Sequence, residues 1–223
     1  MTAAFFHLGI VDPGLFLLAV LLLCVTPGPD TAFIVSRSLA QGARAGALSA
    51  LGISLGCCLH CLLCAFGVTA LIAASPGAFV IIKFGGALYL IFLGVRILIS
   101  ARRMVASANA VVALEPSRRR EGVALVVQGF ATNVANPKVI LFFIAFFPQF
   151  VASDSPSKTF SLLLLGALFI VVATLYNVAV AWLSGSITRR IRAVPRFSLW
   201  LERGLGAAFI ALGLRIALIR QPL

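Results

Sequence analysis

Six stretches of this chain are each long and apolar enough to cross a lipid bilayer, and no other feature narrows its fold so far. They fall at about Gly14 to Val35, Gly46 to Ala74, Ala78 to Ile99, Gly122 to Phe150, Phe160 to Leu183 and Leu199 to Leu218. A helix rises about 1.5 Å per residue, so about 20 apolar residues cover a hydrocarbon core about 30 Å thick. Hydrophobic residues fill 61% of the 223 positions and the mean hydropathy is +1.12, more apolar surface than a soluble domain can hide. The expected fold is an all-α membrane protein of about six transmembrane helices, one domain over residues 1–223. The run from Leu15 leads into Thr26-Pro27-Gly28-Pro29-Asp30 rather than a small-residue cleavage site, and no basic stretch precedes it. It reads as a retained first span, not a signal peptide.

The net charge is +12, from 18 basic against 6 acidic residues. In a soluble chain that excess suggests phosphate neutralisation. Here the charges flank apolar runs, which excludes nucleic acid as a partner and points to membrane orientation. Arg37, Arg44, Arg102, Arg103, Arg118, Arg119, Arg120, Arg189, Arg190, Arg192, Arg196 and Arg203 fall after the first, third and fifth runs, whereas only Lys158 follows the second or fourth. Basic loops stay in the cytoplasm, so the odd-numbered connections are predicted to be cytoplasmic.

A basic loop at about 101–121 divides the runs into two groups of three, at about 14–100 and 122–218. An odd number of spans per half inverts the second half relative to the first. The opening span of each half carries a helix-breaking motif: Thr26-Pro27-Gly28-Pro29-Asp30 in one, Thr132-Asn133-Val134-Ala135-Asn136-Pro137-Lys138 in the other. Proline removes a backbone donor and glycine loosens the dihedrals, so both helices are predicted to break or kink. Groups freed inside a membrane must meet protein, water or a ligand. Interrupted spans at matching positions of two inverted halves imply a transporter with its site where the halves meet.

The side chains fit a zwitterionic ligand. Asp30, a carboxylate at membrane depth, can hold an ammonium or carry a proton, and Asn133, Asn136 and Lys138 can receive a carboxylate. Plainer readings stand beside this one: Asp30 as a solvated helix-end residue, Lys138 snorkelling to an interface, the asparagines capping the helix that starts at Pro137. His60 is either a polar residue of the pathway or one satisfied by an interhelical hydrogen bond.

Cys57, His60, Cys61 and Cys64 stand at i, i+3, i+4 and i+7, on one helical face. Thiolates with an imidazole bind zinc or cadmium, which makes soft metal-ion efflux the alternative function. One rigid face is poorly shaped for tetrahedral ligation, and cysteine is also a small packing residue. No metal site and no disulfide framework is expected from the five cysteines. Gly52-Ile53-Ser54-Leu55-Gly56 spells the hydrolase pattern G-x-S-x-G, with His60 nearby. A nucleophile elbow needs a strand, a turn and a helix, whereas this pentapeptide lies inside an apolar helix, where Gly52 and Gly56 read as a packing face. No enzymatic activity is expected.

The chain resembles the LysE/RhtB family of amino-acid exporters. The resemblance rests on Leu23 to Asp30, Gly52 to His60, Gly85-Gly86-Ala87-Leu88-Tyr89-Leu90-Ile91-Phe92-Leu93-Gly94, and Asn136-Pro137-Lys138 followed by Phe142-Phe143 and Phe147-Pro148-Gln149-Phe150. These occur in family order over almost the whole chain. The resemblance implies a six-span exporter in the bacterial cytoplasmic (inner) membrane that moves amino acids or related zwitterions outward at the expense of the proton gradient, without a cofactor. For two inverted halves the expected mechanism is alternating access, one repeat rocking against the other around a fixed site. Pro27, Gly28, Pro29 and Asp30 are expected to face Asn133, Asn136, Pro137 and Lys138, with His60 nearby. The partners expected are an amino-acid-like small molecule, protons and lipid; self-association is left open. The cysteine-rich second span departs from the family's aliphatic pattern.

Overall fold

The computed structural model describes residues 8–75, 122–152 and 155–186 without interruption, and parts of 77–99 and 204–218. Helix α1 spans Pro13–Val25 and α2 Pro29–Gln41; α3 spans Ala43–Leu62 and continues through a π-helical stretch, Leu63–Val68, into α4, Thr69–Ala74. After the basic loop come α5, Gly122–Val134, and α6, Pro137–Leu141, which runs on through π-helical Phe142–Phe146 and a 3-10 turn, Phe147–Phe150. The long helix α7 spans Lys158–Ser186. The only strand-like pairing among the described residues is the bridge between Ile10 and Val151.

Among these residues two continuous helices, Ala43–Leu71 and Lys158–Gly185, are long and apolar enough to cross a membrane. Two bent pairs raise the number to four: Pro13–Val25 with Pro29–Gln41 at 52°, and Gly122–Val134 with Pro137–Phe150 at 51°. The third and sixth apolar runs are described only in part, and the loop at 101–121 lies outside the described residues. The fold is therefore all-helical and membrane-spanning, with four of the six expected spans in view.

Both expected breaks are present, and their cause is local. Steric crowding by proline pushes the preceding residue out of helical geometry. Thr26 (ψ 119°), Gly28 (φ −166°, ψ −178°) and Asn136 (ψ 107°), each followed by proline, are all extended. Pro29 and Pro137 then open the next helices at the first turn, where a missing N–H costs nothing. The limbs α1, α2 and α5 have 13 residues each, about 20 Å. Each break thus falls near the middle of its span.

The ends of the helices sort into two sets. At one end Val11 N–H donates to Phe150 O (2.9 Å), Ser161 Oγ donates to Leu8 O (2.6 Å), and Asp12 pairs with Arg215 at 2.7 Å. At the other end Gly185 lies against Ala43, and Gly122 against Leu48. The broken spans consequently run in opposite senses, as inverted halves require. The second end carries Arg37 and Arg44 and is the expected cytoplasmic face. A reporter fused after Ser155 should read periplasmic, and one after Arg103, itself outside the described residues, cytoplasmic; a periplasmic signal at Arg103 would sink the orientation.

Two packing features fix the centre. Helices α3 and α5 touch backbone to backbone: a Cβ on Gly52 would overlap the carbonyl of Val126, and one on Gly129 the carbonyl of Ser49. The small-residue face expected at Gly52 and Gly56 is thus the contact with α5. Beyond the breaks, toward the end that carries Ile10 and Val151, the interior is filled by Phe16, Phe142, Phe143, Phe146, Phe147, Phe150 and Phe169, all essentially buried. Their rings meet edge-on or stacked, Phe143 and Phe147 at 4.5 Å and Phe16 and Phe147 at 5.1 Å.

Candidate functional site at the paired helix breaks

A proline four residues after a helical carbonyl leaves that oxygen without its usual donor. Pro27 does this to Leu23 O, and Pro137 does it to Asn133 O. Leu23 O is satisfied from elsewhere in the fold, and Asn133 O both locally, by Asn136 N–H at 2.9 Å, and from another helix. Lys138 Nζ donates to Leu23 O at 3.0 Å and to Thr26 O at 2.8 Å. His60 Nε2 lies 3.3 Å from Asn133 O. Because a carbonyl only accepts, that bond needs the His60 tautomer protonated on Nε2.

Asp30 is the second residue of α2, where the helix dipole favours an anion, and it is only 9% exposed. Its Oδ2 accepts from Asn133 Nδ2 at 2.8 Å, a bond that fixes which way the Asn133 amide faces. Lys138 holds the equivalent second position of α6, after Pro137. Each of these side chains reaches to the other broken span and is held there by neutral groups. The two are not joined as an ion pair.

The structure brings together Gly28, Asp30, His60, Asn133, Asn136 and Lys138 of the residues singled out in the sequence, while Pro27, Pro29 and Pro137 shape the backbone beside them and are themselves exposed. Gly28 faces Lys138, whose Nζ would lie 3.2 Å from a Cβ at that position. Pro27 and Pro29 bracket it, Asn133 bonds Asp30, Asn136 lies one turn beyond, and His60 closes the group on Asn133. Asn136 is also the cap of α6, its Oδ1 accepting Lys138 N–H at 3.1 Å, so the plainer reading of that residue holds as well. Asp30 is neither solvated nor at the outer end of its span, and Lys138 turns inward instead of snorkelling. Three buried polar atoms here make no hydrogen bond of full geometry, Asp30 Oδ1, Asn133 Oδ1 and Asn136 Nδ2, with the Asn136 amide close to the Asp30 carboxylate and the Cys57 thiol close to Asn133. Two acceptors and a donor so placed match a small ligand that carries both kinds of group.

Sequence reasoning missed three parts of the site. The carbonyls of Leu23 and Thr26 enter through the backbone, and the spacing of Pro27 from Leu23 was the available signal. Gly56 is the slot for Asn133, whose Oδ1 would lie 2.5 Å from a Cβ there. Phe143 stacks on the His60 ring with centroids 5.8 Å apart, and nothing in the sequence pairs them.

The cysteine face is occupied by packing. Cys64 Sγ donates to Phe143 O at 3.0 Å, Cys61 Sγ fills the space above Gly166, and Cys57 is buried. Among the described residues no three His, Cys, Asp or Glu side chains are placed to hold a metal ion. Ser54 pairs with Thr174 Oγ1 at 2.7 Å, while His60 is engaged with Asn133, so the two do not form a nucleophile and base.

A membrane-spanning chain that brings Asp30, Asn133, Asn136 and Lys138 together at two antiparallel broken helices is a transporter by class. The profile of the LysE type translocators matches residues 21–220, and the chain belongs to that family. It is 32% identical over 217 residues to an uncharacterized membrane protein of Pseudomonas aeruginosa, covering 94% of this chain and 96% of that one. Leucine efflux proteins are also similar: that of Enterobacter sp. (strain 638) at 27% identity (96% of this chain, 98% of the relative), and that of Klebsiella pneumoniae at 28% (97% and 100%). No solved structure matches. The chain is a multi-pass protein of the bacterial inner membrane.

Proposed function

We propose that this protein exports leucine or closely related zwitterionic amino acids across the inner membrane, by alternating access and in exchange for protons. The observation that carries the reading is the cluster of Asp30, Asn133, Asn136 and Lys138 between the two breaks, in which Asp30 Oδ1, Asn133 Oδ1 and Asn136 Nδ2 make no hydrogen bond of full geometry. Asp30 Oδ1 and Asn133 Oδ1 accept the cargo's ammonium, and Asn136 Nδ2 donates to its carboxylate, with Lys138 turning to the same anion. Asp30 is also the group that takes up and releases the coupling proton. The names of the similar efflux proteins support the direction and the cargo class. The packed cysteine face does not favour metal-ion efflux.

The test is efflux of radiolabelled leucine, beside a panel of other amino acids, from cells overexpressing the protein. Faster leucine export than in vector controls is expected, abolished by an uncoupler. A variant with Cys57, Cys61 and Cys64 all replaced by Ala should keep most of this activity and leave zinc and cadmium tolerance unchanged. Loss of metal tolerance in that variant, with the protein still present, would put metal efflux first.

A further inference from the structure

The position of Lys138 is odd for a lysine. It stands in the first turn of α6, where the helix dipole repels a cation, and its side chain crosses to the last turn of α1, where the dipole attracts one. What receives it there is backbone. Pro27 withholds the N–H that would have engaged Leu23 O, and the extended conformation of Thr26 turns its carbonyl out of the helix. The two oxygens converge on one ammonium at 3.0 and 2.8 Å. Gly28 leaves the space, since a Cβ there would come within 3.3 Å of both Nζ and Cε. Asp30, the nearby carboxylate, is bonded to Asn133 and makes no hydrogen bond to this ammonium, on which its charge acts only through space.

We propose that the carbonyl oxygens of Leu23 and Thr26 form a subsite for a primary ammonium group, filled in this conformation by the protein's own Lys138. The subsite is separate from the acceptors on Asp30 and Asn133, and it stands whether or not the cargo is an amino acid. Two convergent oxygens suit the directional N–H donors of an ammonium. An alkali ion held by only two protein oxygens keeps most of its water and gains little. When Lys138 leaves these oxygens, or is removed, a small alkylammonium from outside takes its place.

Purified Lys138→Ala protein in detergent, heated with methylammonium chloride, sodium chloride or tetramethylammonium chloride at equal ionic strength, tests this. Methylammonium should raise the unfolding midpoint of the variant by about 2–4 °C. It should not shift the wild type, where Lys138 fills the subsite, and tetramethylammonium, which has no N–H, should not shift either protein. Equal shifts from all three salts, or none from methylammonium, overturn the proposal. If Lys138→Ala yields no folded protein, the double variant Pro27→Ala with Lys138→Ala decides. Alanine at 27 restores an N–H to Leu23 O, so folded protein should be recovered, and a double variant as poor as the single one overturns the subsite.

Discussion

Asp30→Asn is expected to lower leucine efflux by about 10- to 100-fold while the protein is still inserted and folded. The amide keeps the size of the side chain, and its oxygen still accepts from Asn133 Nδ2, so the contact between the two broken spans at 2.8 Å survives. What disappears is the charge. Hydrogen bonds to charged groups are worth about 1.5–3 kcal/mol, which at about 1.4 kcal/mol per tenfold gives that range. Exchange of labelled for unlabelled leucine across vesicles separates the two duties assigned to Asp30. A residue that only carried the proton would leave exchange intact, whereas one that also holds the cargo ammonium loses exchange and net efflux together. Wild-type efflux in a well-expressed variant would mean that Asp30 serves neither purpose.

The second large effect falls on stability. Gly52→Ala places a methyl where the backbone carbonyl of Val126 already stands, close to Phe130 N as well. A flexible side chain could move aside, but backbone on both helices cannot without separating α3 from α5. Forcing one extra carbon into a close-packed contact costs about 1–3 kcal/mol, a fall in unfolding midpoint of about 2–12 °C for a chain of this size. Gly67→Ala is the control, because nothing lies within 4 Å of a Cβ there. Fluorescence-detected thermal unfolding of the two variants should therefore diverge, and equal midpoints would show that the contact yields more easily than its geometry implies.

The sequence was most informative where the backbone itself carries the signal. Prolines at 27, 29 and 137 dictate extended residues before them and breaks after them, so the two interruptions and their polar flanks were readable without any fold. Apolar run lengths likewise defined the spans, and Gly52 and Gly56 their close contact. Pairings between distant side chains were a different matter. Pro27 announces that Leu23 O lacks a donor, but only the fold shows that the donor is Lys138, 115 residues away. Asn133 was readable as polar and buried, yet its bond to Asp30 and its slot at Gly56 come from three helices meeting. The π-helical stretches at Leu63–Val68 and Phe142–Phe146 have no Pro or Gly pattern that sets them apart, and the bond from Cys64 to Phe143 O joins them across space.

The glycine contact between α3 and α5 bears on how such a molecule can move. Helix α3 belongs to the first half of the chain and α5 to the second, and their backbones are in touch along Ser49, Gly52, Val126 and Gly129. A seam with no side chains between the backbones has no slack, so these two helices travel as one rigid keel. Any rocking of one half of the chain against the other therefore has to pivot on this seam, since parting it would separate the backbones that Gly52 and Gly129 bring into contact.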